Sequence, residues 1–332
     1  MGRREIEIDE EELREQLDLL PTQQHVAEHF GVSQATISNK IRDFGMVKIN
    51  GKTERNSRIE FPFLNWEKAK EILLDIQDNN TPTVGYDKVE IEIESAGNNL
   101  IIPIMDTHIG ARYIYSRELI ELVELIAENP RVFTGFNGDL ADNYTTTAFK
   151  SGQIEQGLKI QMQKAIVKAL VRKLQGNILW FVNGCHDEWS YFNDGFDLAQ
   201  YLAHKDRQGY YMGHHGRVDI YLNGIRYRIF VIHNTFRNST LNEGHGIKWV
   251  CREHVTYDIA VKGHDHVPHV EEFILRGKTR YSMSGAPWKG QDRYSSKKGF
   301  PGTLQTTPGF ILNSKKKQII LDIDYRNLVK YL

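Results

Sequence analysis

Five short clusters between residues 106 and 266 set aspartate, histidine and one cysteine close together. They are Asp106-Thr107-His108, Gly138-Asp139 with Asp142-Asn143, Gly184-Cys185-His186-Asp187, the lone His233, and Gly263-His264-Asp265-His266. Carboxylate oxygens, imidazole nitrogens and thiols are the donors that bind divalent ions, and the same groups carry protons in hydrolysis. Any one cluster is weak, because a DxH or HxH triplet arises often by chance. Their common setting counts for more. Each follows a predicted strand, "LIIPIM", "RVFTGFN", "NILWFVN", "RIFVI" or "YDIAVK", where loops hold site residues on a rigid frame. Five strands therefore deliver Asp and His to one edge. Cys185 leaves three readings open here: a nucleophile, a metal ligand, or a residue that packs.

The elements that must position these clusters begin near residue 86, where short β runs start to alternate with helices. "KVEIEIES" and "NLIIPIMD" are followed by a helix around Arg117 to Ala127, then "RVFTGFNGD", a long helix from Ile154 to Leu174, and "NILWFVNG". Such alternation implies a layered α/β domain with helices over the sheet faces. "RVDIYLNGIRYRIFVIHN" predicts a hairpin turning at Asn223-Gly224, and "HVEEFIL", "TRYSMSG" and "QIILDIDY" add strands to a second half richer in β.

The first 85 residues have a different texture. A helical pattern from Glu10 to Leu20 is interrupted by Pro21, and Thr22 is a candidate N-cap for the next helix. In "TQQHVAEHFGVSQATISNKIRDFG", Val26, Ala27 and Phe30 share a helical face, the chain turns at Gly31, and Ile37 and Ile41 repeat four apart. This resembles the helix-turn-helix of DNA-binding proteins, with Ala27 and Ile37 where the two helices must pack and Ser33 capping the recognition helix. Gln34, Thr36, Ser38, Asn39, Lys40 and Arg42 are then the side chains that reach bases or backbone. Between residues 34 and 58 six cations face two acids, a local balance of +4, which favours phosphate contact. "MVKINGKTERNSRIEF" predicts a hairpin wing around Asn50-Gly51, a helical segment follows from Trp66 to Gln77, and "DNNTPTVGYD" reads as a linker. The expected domains are 1–85 and 86–332.

Composition sets outer limits. With 332 residues the chain can bury a sizeable core, and a net charge of -1 excludes global attraction to polyanions, so any nucleic-acid contact must be local. Two cysteines make no disulfide framework and fit a reducing compartment. The charged start "MGRREIEIDEEELREQL" is no signal peptide, and no apolar run approaches the roughly 20 residues that span a bilayer. A cytoplasmic protein with no membrane contact is expected.

Taken in order, D-T-H, G-D-L-A-D, G-C-H-D, His233 and G-H-D-H resemble the signature of the calcineurin-like metallophosphoesterase superfamily, DxH, GDxxD, GNH[DE], H and GHxH. The match covers residues 106 to 266 and departs at one position, where Cys185 replaces asparagine. The resemblance implies a β-sandwich flanked by helices, of α/β class, with two divalent ions: manganese, iron or zinc. It implies that Asp106, His108 and His266 bind one ion, His233 and His264 the other, and that Asp139 bridges them. It also implies that His186 is a general acid which Asp142 orients and whose pKa Asp142 raises. Cys185 then stands where the second ion expects an amide oxygen. As a thiolate it ligates that ion and favours softer metals such as zinc; as a neutral thiol it fills space and weakens the site.

Other residues are read more plainly. His214 and His215 lie in a Gly-flanked turn and are expected to be exposed, while His254 and Cys251 are expected to be structural. "NTFRNSTLNEGHG" suits a loop over the site, with Arg237 on a phosphate. "WKGQDRYSSKKGF" fits a nucleic-acid-contacting loop as well as any solvated one. The first expectation for function is a metal-dependent phosphodiesterase or nuclease acting on DNA. The alternatives are a phosphomonoesterase or protein phosphatase, and a DNA-binding scaffold whose esterase site is weakened at Cys185. A short helix-turn-helix often binds in two copies, which allows a homodimer, although no residue pattern establishes one.

Overall fold

The computed structural model describes residues 8–20, 22–44, 46–49, 52–55, 87–145, 150–205, 209–235, 244–250, 256–298 and 305–332, with residues 67, 68, 70, 71, 74 and 242 between them. The chain divides into two units, Met1–Pro82 and Thr83–Leu332.

In the first unit, α1 (Glu10–Leu19) starts at Asp9, whose side chain accepts from the Glu11 and Glu12 amides. Helix α2 (Gln23–Phe30) is capped by Thr22 and ends at Gly31, whose left-handed φ of 65° lets the chain reverse within one residue. Ser33 Oγ accepts from the Thr36 amide at 3.2 Å and so caps α3 (Gln34–Asp43). Ile8, Leu13, Val26, Ala27 and Ile37 form a small buried core among these helices. Strands β1 (Met46–Ile49) and β2 (Lys52–Arg55) pair antiparallel, as the hairpin reading expects. Most of the helical segment expected over 66–77 lies outside the described residues.

The second unit holds two six-stranded mixed sheets. One contains β3 (Asp87–Ile93), β8 (His215–Leu222), β9 (Ile225–Ile232), β10 (Ile259–Lys262), β11 (His269–Leu275) and β12 (Lys278–Ser284), in the order β11-β12-β10-β9-β8-β3. The other contains β4 (Asn99–Ile101), β5 (Val132–Asn137), β6 (Ile178–Val182), β7 (Tyr210–Tyr211), β13 (Gly309–Leu312) and β14 (Ile319–Asp322), in the order β14-β13-β4-β5-β6-β7. Strand β3 is an edge strand, and it alternates accordingly. Val89, Ile91 and Ile93 pack on the core, while Lys88, Glu90 and Glu92 face outward, which blunts the edge against further pairing.

Burial of apolar side chains explains the layering. Val218, Ile220, Tyr227, Ile229, Val231 and Val261 of the first sheet meet Ile101, Trp180, Val182, Phe310 and Leu312 of the second in one buried layer. The outer face of the second sheet is covered by α4 (Ser116–Glu128), α6 (Ile160–Lys173) and α8 (Leu198–Lys205) through Leu122, Ile126, Val167, Val171 and Leu202. Helix α9 (His245–Val250) covers the first sheet through Ile247 against Phe230 and Ala260. This is the helix-flanked α/β sandwich expected from the sequence.

One helix departs from expectation. Instead of a single helix over 154–174, α5 (Lys150–Glu155) and α6 are separated at 156–159, where the Gly157 amide donates to the Gly110 carbonyl at 2.7 Å and Gln156 bridges Ala111. A helical pattern was broken by pairing with a distant loop. Two further short helices are α7 (Cys185–Asp194) and α10 (Arg293–Lys298). No helix of the described residues is long and apolar enough to cross a membrane.

Candidate metal centre

Strands β4, β5 and β6 run parallel, as do β9 and β10, so their C-terminal ends collect the five clusters along one edge of the sandwich. A backbone ladder continues past β5: the Asp106 amide donates to Gly138 O at 3.1 Å and the His108 amide to Asp139 O at 2.9 Å. The two sheets are tied together at the same point by Asn137, which is fully buried. Its amide donates to the carbonyls of Ile232 (3.2 Å) and Val261 (3.1 Å), at the ends of β9 and β10, and accepts from Trp180 Nε1 at 2.7 Å. The Asn137 carbonyl in turn accepts from His233 Nδ1 at 2.7 Å.

Glycines permit the close approach. A Cβ on Gly184 would fall on the backbone nitrogen and Oδ1 of Asp139. Gly138 takes a φ of +84°, and a Cβ there would meet His233 Nδ1 at 2.5 Å and Gly184 Cα at 2.6 Å. Asp106, His108, Asp139, His264 and His266 themselves take positive φ values of 52°, 43°, 52°, 71° and 58°. Asp and His tolerate this region better than most residues, but five such conformations at one sheet edge are strain held in place by the surrounding fold, as functional sites commonly are.

Three donor groups result. Asp106, His108, Asp139 and His266 form one; Cys185, His233 and His264 a second; His108, Asp142 and His186 a third, and within each group the donor atoms lie within 4.8 Å of one another. His108 Nε2 faces His266 Nε2 at 3.1 Å, and His266 Nε2 lies 3.6 Å from Asp106 Oδ1. Asp139 Oδ2 reaches both of the first two groups, 3.9 Å from His108 Nε2 and 3.3 Å from His233 Nε2, while Oδ1 is held by the His186 amide at 2.8 Å. Two carboxylates among so many imidazoles make a cation-binding environment. The orientations fit one as well. Because His233 Nδ1 donates to a carbonyl, Nε2 is the ring nitrogen that faces the donor group, and that atom is buried without a hydrogen-bond partner. Two ring nitrogens facing each other at 3.1 Å, as in His108 and His266, likewise suit a shared ion.

Burial and charge act against each other here. Burial pushes the Asp139 carboxyl up, but the His233, His186 and His108 rings outweigh it and hold its pKa well below the usual range. Burial lowers His233, yet the Asp139 carboxylate raises it well above the ordinary histidine value. For His108 burial dominates and depresses the pKa strongly. Burial raises the Cys185 thiol, but the neighbouring His233 and His264 rings bring it down to about 7.

His186 differs from expectation in how it is held. Its Nδ1 donates to the backbone carbonyl of Asp142 at 2.7 Å, not to the carboxylate, and its pKa is lowered by burial, not raised. The Asp142 carboxylate points instead toward His108 Nδ1 (3.5 Å) and Lys289 Nζ (3.6 Å), and burial pushes its pKa up to about 6. Trp189, one helical turn beyond His186 on α7, lies over the imidazole with ring centroids 4.0 Å apart, and Tyr144 stands edge-on at 5.1 Å.

Several of these partners were not singled out from the sequence. Asn137 adjoins the Gly138-Asp139 cluster, and its nearness in sequence was the available signal; Asn143, already part of that cluster, donates through Nδ2 to the His186 carbonyl at 2.6 Å. Lys289 had no such signal. The stretch 288–300 was expected to be a solvated or nucleic-acid-contacting loop, yet Trp288 is buried in the core, and Lys289, half-buried, stands between Asp142 and Asp292, 2.8 Å from the latter. His214 and His215 are exposed, as expected. On α3, Gln34, Ser38 and Asn39 are exposed, Thr36 is half-buried against Ser33, and Lys40 Nζ lies 5.5 Å from the Phe44 ring centre. Arg237, Cys251, His254 and the side chain of Arg42 lie outside the described residues.

Among solved structures, the chain is similar to Vps29 of Chaetomium thermophilum, with 12% identity over 68% of this chain and 96% of that one and a TM-score of 0.32. It is similar to NAD nucleotidase (NadN) of Haemophilus influenzae, with 10% identity, 68% of this chain, 49% of that one and a TM-score of 0.37. It is also similar to TT1561 of Thermus thermophilus, with 10% identity, 68% of this chain, 98% of that one and a TM-score of 0.36. Neither a family model nor a curated protein matches the chain.

Proposed function

We propose that the chain is a metal-dependent phosphoesterase acting on DNA as a phosphodiesterase or nuclease. The observation that carries this reading is the convergence of Asp106, His108, Asp139, His233, His264 and His266 at one sheet edge, with a buried ring nitrogen of His233 that has no hydrogen-bond partner. Asp106, His108, His266 and Asp139 would hold one divalent ion, and Cys185, His233, His264 and Asp139 a second. When bound, such a pair neutralises the negative charge of a phosphoester and lowers the pKa of a water molecule beside it.

His186 is the residue for proton transfer to the leaving oxygen. With Nδ1 committed to the Asp142 carbonyl, Nε2 is the atom left to exchange a proton. Burial lowers its affinity for that proton in the free protein, so a negative phosphoester beside it is what would restore protonation, linking acid catalysis to an occupied site. Trp189 and Tyr144 hold the ring from two sides.

The substrate class rests on the first unit. Two short helices joined at a left-handed glycine, an antiparallel hairpin after them, exposed polar residues on α3 and a local balance of +4 together support contact with DNA. The test is hydrolysis of end-labelled single- and double-stranded DNA by the full chain with manganese or zinc, beside His186→Ala and a triple alanine variant of Gln34, Ser38 and Asn39. Cleavage that needs metal and His186, with weaker DNA binding in the triple variant, supports the proposal. Hydrolysis of a small phosphomonoester with no DNA cleaved under any metal refutes the DNA reading.

A further inference from the structure

We infer that the two halves of the donor cluster are chemically unequal: Cys185, His233, His264 and one oxygen of Asp139 form a tetrahedral thiolate site selective for zinc, while the oxygen-richer set of Asp106, His108, Asp139 and His266 takes a harder ion such as manganese. The inference rests on the metal-centre reading above and concerns which ion each half selects.

Spacing carries it. Zinc bonds of roughly 2.0 Å to nitrogen or oxygen and 2.3 Å to sulfur, at tetrahedral angles, separate sulfur from nitrogen by about 3.5 Å and nitrogen from oxygen by about 3.3 Å. Cys185 Sγ lies 3.6 Å from His264 Nδ1, and His233 Nε2 lies 3.3 Å from Asp139 Oδ2. His233 is 2% exposed, and the ring nitrogen it turns into this group has no hydrogen-bond partner. One sulfur, two imidazoles and a carboxylate complete four-coordination without further help.

Softness separates the halves. Thiolate sulfur favours zinc over manganese, whereas two carboxylates with two imidazoles offer no such preference against harder ions. Cys185 is also the first residue of α7, where the N-terminal end of a ten-residue helix stabilises a negative sulfur, and Asn234 Nδ2 approaches Sγ at 3.9 Å. Binding exchanges the thiol proton for the ion, and the proton leaves to solvent.

The experiment uses the full chain, stripped of metal with a chelator and titrated with cobalt(II) as a spectroscopic stand-in for zinc. The expected result is a sulfur-to-cobalt charge-transfer band in the near ultraviolet together with tetrahedral visible bands. Zinc should abolish both. After exposure to one equivalent of zinc per chain with manganese in large excess, metal analysis should find one of each ion per chain, and Cys185→Asn should lose the band and about 100-fold in zinc affinity. Cobalt that binds without a sulfur band overturns the inference and leaves a metal centre standing. If no cobalt binds at all, the metal-centre reading falls with it. The wild-type spectrum decides between these whether or not the variant folds.

Discussion

His186 Nδ1 lies 2.7 Å from the backbone carbonyl of Asp142, while the carboxylate of the same residue turns the other way, 3.5 Å from His108 Nδ1. One residue thus faces two histidines with two different groups, and substitution of its side chain should touch only one of them. His186→Ala should lower kcat by about 10²- to 10⁴-fold, the usual contribution of a positioned proton donor. Asp142→Asn keeps the carbonyl and should instead weaken metal binding by about 10- to 100-fold through His108. Steady-state kinetics at saturating metal beside calorimetric metal titration separate the two; equal losses of kcat at saturating metal would contradict this division.

Burial raises the Asp142 carboxyl to about 6 even though Lys289 holds it down. Removing the cation in Lys289→Met should push that pKa higher, because burial is then less opposed. The sign is that of an acid with a raised folded pKa: the ionised, His108-supporting form is lost as pH falls through that value. Metal affinity should therefore fall on acidification in both proteins, with the midpoint of the variant at higher pH. Metal titrations between pH 5 and 8 would read this, with pH in the range bracketing that midpoint.

Asn137 meets three buried partners with one amide, the carbonyls of Ile232 and Val261 and the indole of Trp180. Asn137→Ala strands them and should cost about 2 to 4 kcal/mol in urea unfolding. A loss below about 0.5 kcal/mol would mean the sheets are tied elsewhere.

Asp258, nearly buried, faces Arg228, Arg280 and Lys317, and although burial raises its carboxyl these cations hold its pKa below the usual range. A depressed acid adds stability above its unfolded pKa of about 3.9 and loses it as pH falls through the folded value. Asp258→Asn should cost about 2 kcal/mol at pH 7, and the gap to wild type should close in strong acid. Parallel denaturation curves from pH 7 to pH 2 test the sign as well as the size.

Ile37, fully buried, sits where α2 and α3 meet, and Ser33 caps α3. Ile37→Ala should destabilise the first unit by about 2 to 4 kcal/mol and Ser33→Ala by about 1 kcal/mol. Hydrogen exchange at α2 and α3 amides would resolve both, and protection unchanged in Ile37→Ala would argue against a shared core.

The residue types, their order and the strands before them were legible in the chain itself. Period-2 and period-3.6 patterns mark β3, β9, α2 and α4 because local burial dictates them. The glycines of the clusters were visible in the chain, but their reason was not, because the backbone approach of Gly184 to Asp139 that admits no Cβ is a tertiary contact. The break at 156–159 was not, because its cause lies in residues 110–112. Nor was the place of Lys289, which reaches Asp142 across 147 positions, as the two numbers give. Sequence alone determined which donors exist and that five strand ends carry them. Only the tertiary structure decided which ring nitrogen is left open, that Asp142 serves His186 through its carbonyl, and that Cys185 sits with His233 and His264, because such pairings are made by packing one sheet on another and leave no local period in the chain.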